Sequence, residues 1–285
     1  MAIATIQILN TIASLALISV GLAIIFGMMK VMNFAHGELL MLGAYSVQTA
    51  YSNGVNIWIA MFVIAPLFVG LVGILIELLV IRHLYGRMMD TLLATWGISL
   101  FITGLITMIF GNVTQGISTP LGFYEIGGIR DSAYKFLIIG VTIVVFGGIY
   151  LVLKKTRLGL IARATMNNPG QVAVLGVNPR IVYTVTFAAG AAISGLAGAV
   201  LAPVTGVVPT MGAAYIGKAF ITVICGGDAI FAGTAIASIL FGSINQVTTI
   251  VSTAEFGEVA LLIGALLMLR LLPKGISSLV SNRAV

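Results

Sequence analysis

The chain has 285 residues, of which 60% are apolar and only 8% charged, with a mean hydropathy of +1.16. Soluble domains carry about 25% charged residues, so the composition excludes an ordinary soluble protein and implies a polytopic membrane protein. The net charge of +6 is read as loop topology and not as nucleic-acid binding, and the single Cys225 excludes an internal disulfide framework.

A spanning helix needs about 20 apolar residues. In chain order the candidates are 5–29, 38–53 (short), 57–80, 91–110, 136–153, 181–202, 211–233 (interrupted), 235–253 and 258–272. The expected fold is therefore all-α, with about eight or nine transmembrane helices in a single domain over 1–285. Residues 1–29 hold no Lys or Arg and no small-residue cleavage site, so the first apolar segment is expected to persist.

Between the first two candidates lies Met32-Asn33-Phe34-Ala35-His36-Gly37-Glu38. Polar groups this dense beside hydrocarbon usually face a bundle interior or a water-filled path. A broken helix at membrane depth needs its freed backbone buried in protein or lining a cavity. A short loop at the membrane surface is the other reading. His36 and Glu38 fit one edge of a metal or proton site, or a hydrogen-bonded structural pair.

Of the 14 Lys and Arg, most fall in three clusters. Arg82 and Arg87 form one; Lys154, Lys155, Arg157, Arg163 and Arg180 a second; Arg270, Lys274 and Arg283 a third. The positive-inside rule makes all three cytoplasmic, which places 111–135 and the N-terminus outside. Glu77 lies five residues before Arg82 and is assigned to the cytoplasmic surface in preference to an intramembrane anchor.

Two related halves are expected. In the first, residues 21–27 lead to the break at Asn33–Glu38. In the second, Lys218 onward leads to Cys225-Gly226-Gly227-Asp228 and then Gly233. Corresponding interruptions in two halves point to a transport site between repeats; a tight turn at Gly226-Gly227-Asp228 is the plain alternative. Asn33, Phe34, His36, Gly37, Glu38, Gly226, Gly227 and Asp228 are thus the candidate path residues. The two breaks are expected to approach each other and to be wetted.

Gly212 to Ala219 nearly fits a phosphate loop but lacks the Ser or Thr that holds magnesium. Any ATP must then bind another chain. The stripe Gly190-x-x-x-Ser194-x-x-x-Gly198 implies close helix packing. The basic segment 154–180 predicts two short helices, 158–166 and 170–175, separated by Asn168-Pro169-Gly170 and closed by Gly176. It is either a partner-docking surface or a solvated basic loop.

Asn33-Phe34-Ala35-His36-Gly37-Glu38 with Met41-Leu42-Gly43-Ala44-Tyr45 resembles the signature of the branched-chain amino acid ABC permeases. Thr156-Arg157-Leu158-Gly159, with Ala173, Leu175-Gly176 and Arg180, resembles their ATPase-docking loop. Thr186-Phe187-Ala188 to Gly198 and Arg270 to Gly275 resemble later family segments. Gln171-Val172 stand where the family has an acidic residue before its Ala.

The resemblance implies a multi-pass inner-membrane permease for branched-chain amino acids or a related small polar solute, not an enzyme. Its implied partners are a second homologous permease, two cytoplasmic ATP-binding subunits and a periplasmic binding protein. ATP and magnesium would sit on the ATPases, with no cofactor in this chain. Arg157, Arg163, Gln171, Ala173, Leu175 and Gly176 would couple to the ATPase. The competing class is a stand-alone secondary transporter using His36, Glu38 or Asp228 as ion or proton sites.

Overall fold

The computed structural model describes residues 2–126, 129–227, 230–272 and 275–277. Helices dominate. α1 (Ala2–Met29) and α2 (His36–Ser52) are followed by α3 (Ile57–Ile59), which runs through a π-helical segment, Ala60–Ile64, into α4 (Ala65–Leu79). Proline at position 66, in the first turn of α4, has no N–H to give and crowds the preceding turn. The π segment absorbs that misfit, so the helix continues from Ile57 to Leu79. α5 (Met88–Phe110) follows a 3-10 turn at Ile81–Leu84.

A two-stranded hairpin, β1 (Phe123–Ile126) and β2 (Ile129–Ser132), precedes α6 (Tyr134–Lys155). Next come α7 (Arg157–Asn167), α8 (Pro169–Val174), α9 (Pro179–Thr205), α10 (Met211–Gly226), α11 (Ile230–Val251) and α12 (Ala254–Leu271). Among the described residues, six helices are long and apolar enough to cross a membrane. The all-α expectation thus holds except for the hairpin, which lies inside the segment assigned to the outside.

The chain divides into two compact units: residues 1–20, 118–144 and 217–285, and residues 21–117 and 145–216. The first unit packs Phe241 of α11 with Leu261, Ala265 and Met268 of α12. Thr11 of α1 donates to the Gln246 amide oxygen at 2.6 Å, and Thr142 of α6 donates to the Ala13 carbonyl at 3.2 Å. In the second unit α9 is the central post, packed along α4 and α2. Val207, just past α9, pairs with Gln115 through two backbone hydrogen bonds of 2.8 and 2.9 Å.

Candidate translocation site and coupling loop

α1 ends at Lys30, which takes a left-handed φ of +53°. That conformation costs a non-glycine residue about 1–2 kcal/mol, and it turns the chain into the polar break. There the Asn33 side-chain oxygen accepts from the Ala35 N–H at 3.1 Å, and the Asn33 carbonyl accepts from His36 N–H at 3.3 Å. Phe34 N–H donates to the Thr95 hydroxyl of α5 at 3.0 Å. Thr103, two turns further along α5, donates to Glu38 at 3.3 Å.

These two threonines fix the depth of the break. At 1.5 Å per residue, Thr95 lies about 10 Å from the Met88 end of α5 and Thr103 about 22 Å, in a helix about 34 Å long. The break therefore runs beside the middle of α5. Its backbone finds partners in α5, as lipid-depth backbone must.

Asn33 and His36 are 0% exposed and Glu38 4%. His36 Nδ1 lies 3.2 Å from the Ser194 hydroxyl. Close backbone contacts enclose the site: a Cβ on Gly37 would strike the Gly212 carbonyl, and one on Gly198 the Leu40 carbonyl. The small-residue stripe is thus where α9 meets α1 and α2, with Gly190 against Gly21 and Ile25. Glycine-to-glycine packing leaves these side chains enclosed within the unit.

The other break belongs to the first unit. Gly227 has φ +78°, and its N–H donates to the Ile224 carbonyl at 3.2 Å. A Cβ on Gly226 would lie 2.8 Å from the Gly233 carbonyl carbon, and one on Gly275 2.6 Å from Gly227 Cα. Ile276 N–H donates to the Cys225 carbonyl at 2.9 Å. Gly226 and Gly227 therefore sit in a glycine-only joint; Asp228 lies outside the described residues.

A second polar cluster forms around Glu77. Glu77, in the last turn of α4, is 0% exposed. It accepts from Thr184 of α9 at 2.8 Å, from Arg82 through two hydrogen bonds of 3.4 Å, and from the Tyr85 hydroxyl. Burial, followed by the Glu77 hydrogen bond and charge, pushes the Tyr85 hydroxyl far above its usual range, so it stays a donor. Glu77 lies at the Arg82 end of α4, and its side chain points into protein. The signal was an acid late in an apolar helix with Arg82 just beyond it.

The basic loop folds as its caps dictate. Thr156 accepts from Gly159 N–H at 3.1 Å, Asn168 from Gln171 at 3.1 Å, and Asn178 from Arg180 at 3.0 Å. Each is an N-cap, and Pro169 and Pro179 open α8 and α9 where no donor is needed. Gly176, at φ +87°, turns the chain out of α8. Thr165 and Val172 are buried, and α7 and α8 both pack on α9. Arg157, Arg163, Gln171, Ala173, Leu175 and Gly176 are all exposed, and Val174 and Leu175 are 88% and 82% exposed.

The sequence pattern of the branched-chain amino acid transport system / permease component family matches residues 4–272. The chain belongs to this family. A permease protein of the high-affinity branched-chain amino acid transport system, BraD of Pseudomonas aeruginosa, is 28% identical over 80% of this chain and 79% of the relative. LivH of Escherichia coli K12, named likewise, is 25% identical over 92% and 90%. A probable branched-chain amino acid transport permease, LivH of Methanocaldococcus jannaschii, is 26% identical over 90% and 83%. No solved structure matches. As a member of the permease family the chain is a multi-pass membrane subunit of a transport system and not an enzyme.

Proposed function

We propose that this permease is one of two related membrane subunits of an ATP-driven importer for branched-chain amino acids or a similar small polar solute. Two cytoplasmic ATPases and an extracytoplasmic solute receptor complete the assembly. The carrying observation is the loop 157–176, which is folded, capped and held on α9, yet exposes Val174 and Leu175 in a basic segment. Uncovered apolar groups of this kind mark a protein interface. A stand-alone secondary transporter has less support, since His36 and Glu38 are enclosed and already bonded to Ser194 and Thr103.

The path is assigned to the two breaks. Asn33, Phe34, His36, Gly37, Glu38, Gly226, Gly227 and Asp228 are the residues assigned to it. Nine crossings are assigned, with α2 and α10 as the short ones, in two halves of inverted order. α1 and α9 are long helices of 28 and 27 residues, each followed by a short helix of 17 and 16. Gly37 and Gly212, the second residue of each short helix, touch. This register supports 206–210 as a second candidate, beside Gly226–Asp228, for the counterpart of the first break.

The test is cross-linking in membranes that hold the complete transporter. A Leu175→Cys variant, in a background with Cys225 replaced by Ser, is expected to cross-link to the ATPase through a short bifunctional reagent. Absence of any ATPase adduct at positions 171–176 would remove the docking assignment.

A further inference from the structure

The importer reading gives the buried carboxylate of Glu77 no task. Full burial of an acid is costly unless its oxygens are hydrogen-bonded, and here three side chains from two directions serve it. Arg82 and Tyr85 come from the short connection after α4, and Thr184 from α9. The Arg82 guanidinium also donates to the Thr184 hydroxyl at 3.0 Å, so the cluster closes on itself. Tyr85 lies edge-on to Tyr183, ring centroids 5.1 Å apart, adding a second contact to α9.

The place of this cluster is what matters. Thr184 lies within the first two turns of α9, and its hydroxyl is 2.9 Å from the Arg180 carbonyl. Only residues 175–178 separate that turn from α8. Beyond the cluster, α4 and α9 stay in close contact: a Cβ on Gly73 would lie 2.5 Å from that of Ala191, and one on Gly70 3.3 Å from that of Ala192. Val69 of α4 likewise fills the space over Gly195, 2.6 Å from where a Cβ would stand. The charged, directional tie of Glu77 stands at one end of this contact.

We propose that Glu77 is a positioning residue of the transport cycle, clamping the cytoplasmic end of α4 to α9 so that force on the α7–α8 loop moves both helices as one body. The proposal rests on the importer reading. Without the clamp, the loop would still bind the ATPase and still be pushed, but the first turns of α9 would move without drawing the end of α4 with them. ATP hydrolysis would then continue while the path opened less often.

The experiment uses the complete transporter in proteoliposomes and measures ATP hydrolysed per solute imported. Glu77→Gln and the milder Thr184→Ala are expected to raise that ratio about threefold or more, the scale of coupling changes from single side chains. Thr184→Ser, which keeps the hydroxyl, is expected to restore it. A merely structural role lowers the yield of assembled complex but leaves the ratio of the surviving complexes unchanged. An unchanged ratio in assembled Thr184→Ala complexes therefore overturns the clamp. A wild-type complex whose ATP hydrolysis is independent of solute overturns the importer reading instead.

Discussion

At the scale of single residues, the second unit is held by what glycine lacks. Gly37, Gly43 and Gly198 each face a neighbouring backbone, with Gly43 against Gly195. Gly198→Ala should therefore cost about 1–3 kcal/mol through overpacking, read as a lower melting temperature of the detergent-solubilised chain. Ser194→Ala deprives buried His36 of a partner and should cost a similar amount, about 1–3 kcal/mol. The stripe of Gly190, Ser194 and Gly198 was legible because its spacing repeats along one helix face. Its partners were not, since they come from helices far away in the sequence. The burial of Glu77 was not legible, because it depends on Thr184 and Tyr85, one of them far away in the sequence.

At the scale of elements, apolar length carried most of the information. The α7–α8 pair was legible from Asn168-Pro169 and Gly176. The hairpin was not, because four-residue strands offer too few alternations to stand out from a loop. It is tied to α6 by Lys135, whose ammonium lies 2.7 Å from Asp131. Partial burial alone would raise the Asp131 carboxyl, but the Lys135 hydrogen bond and charge and the Ser132 N–H outweigh it and hold it below the usual range. The folded pKa is depressed, so the stabilisation is present above the unfolded value, about 3.9, and is lost as pH falls through the folded one. Hydrogen exchange at residues 129–132 should be unchanged between neutral pH and about 5, after correction for intrinsic rates, and its protection should fall in stronger acid. Lys135→Met should remove that acid dependence.

For the whole molecule, the helical, multi-pass character was legible in the long apolar segments. The contact between Gly37 and Gly212, the second residues of α2 and α10, was not legible, because it joins positions far apart in the sequence.

Synthesis order gives the enclosure of α2 a further meaning. His36 meets Ser194, a residue made 158 positions later. At about 5–20 residues per second, a nascent chain carries His36 and Glu38 for roughly 8 to 30 seconds before α9 exists to cover them. α2 has 17 residues and an acid in its first turn, too short and too polar to settle in lipid unaided. The early helices must therefore wait in a provisional wet setting, beside the insertion machinery or at the membrane surface. A chain halted after residue 178 with Ala35→Cys, its Cys225 not yet made, should react with a water-soluble maleimide, and the full-length chain should not. Equal reactivity in both would show that α9 is not what shuts the site.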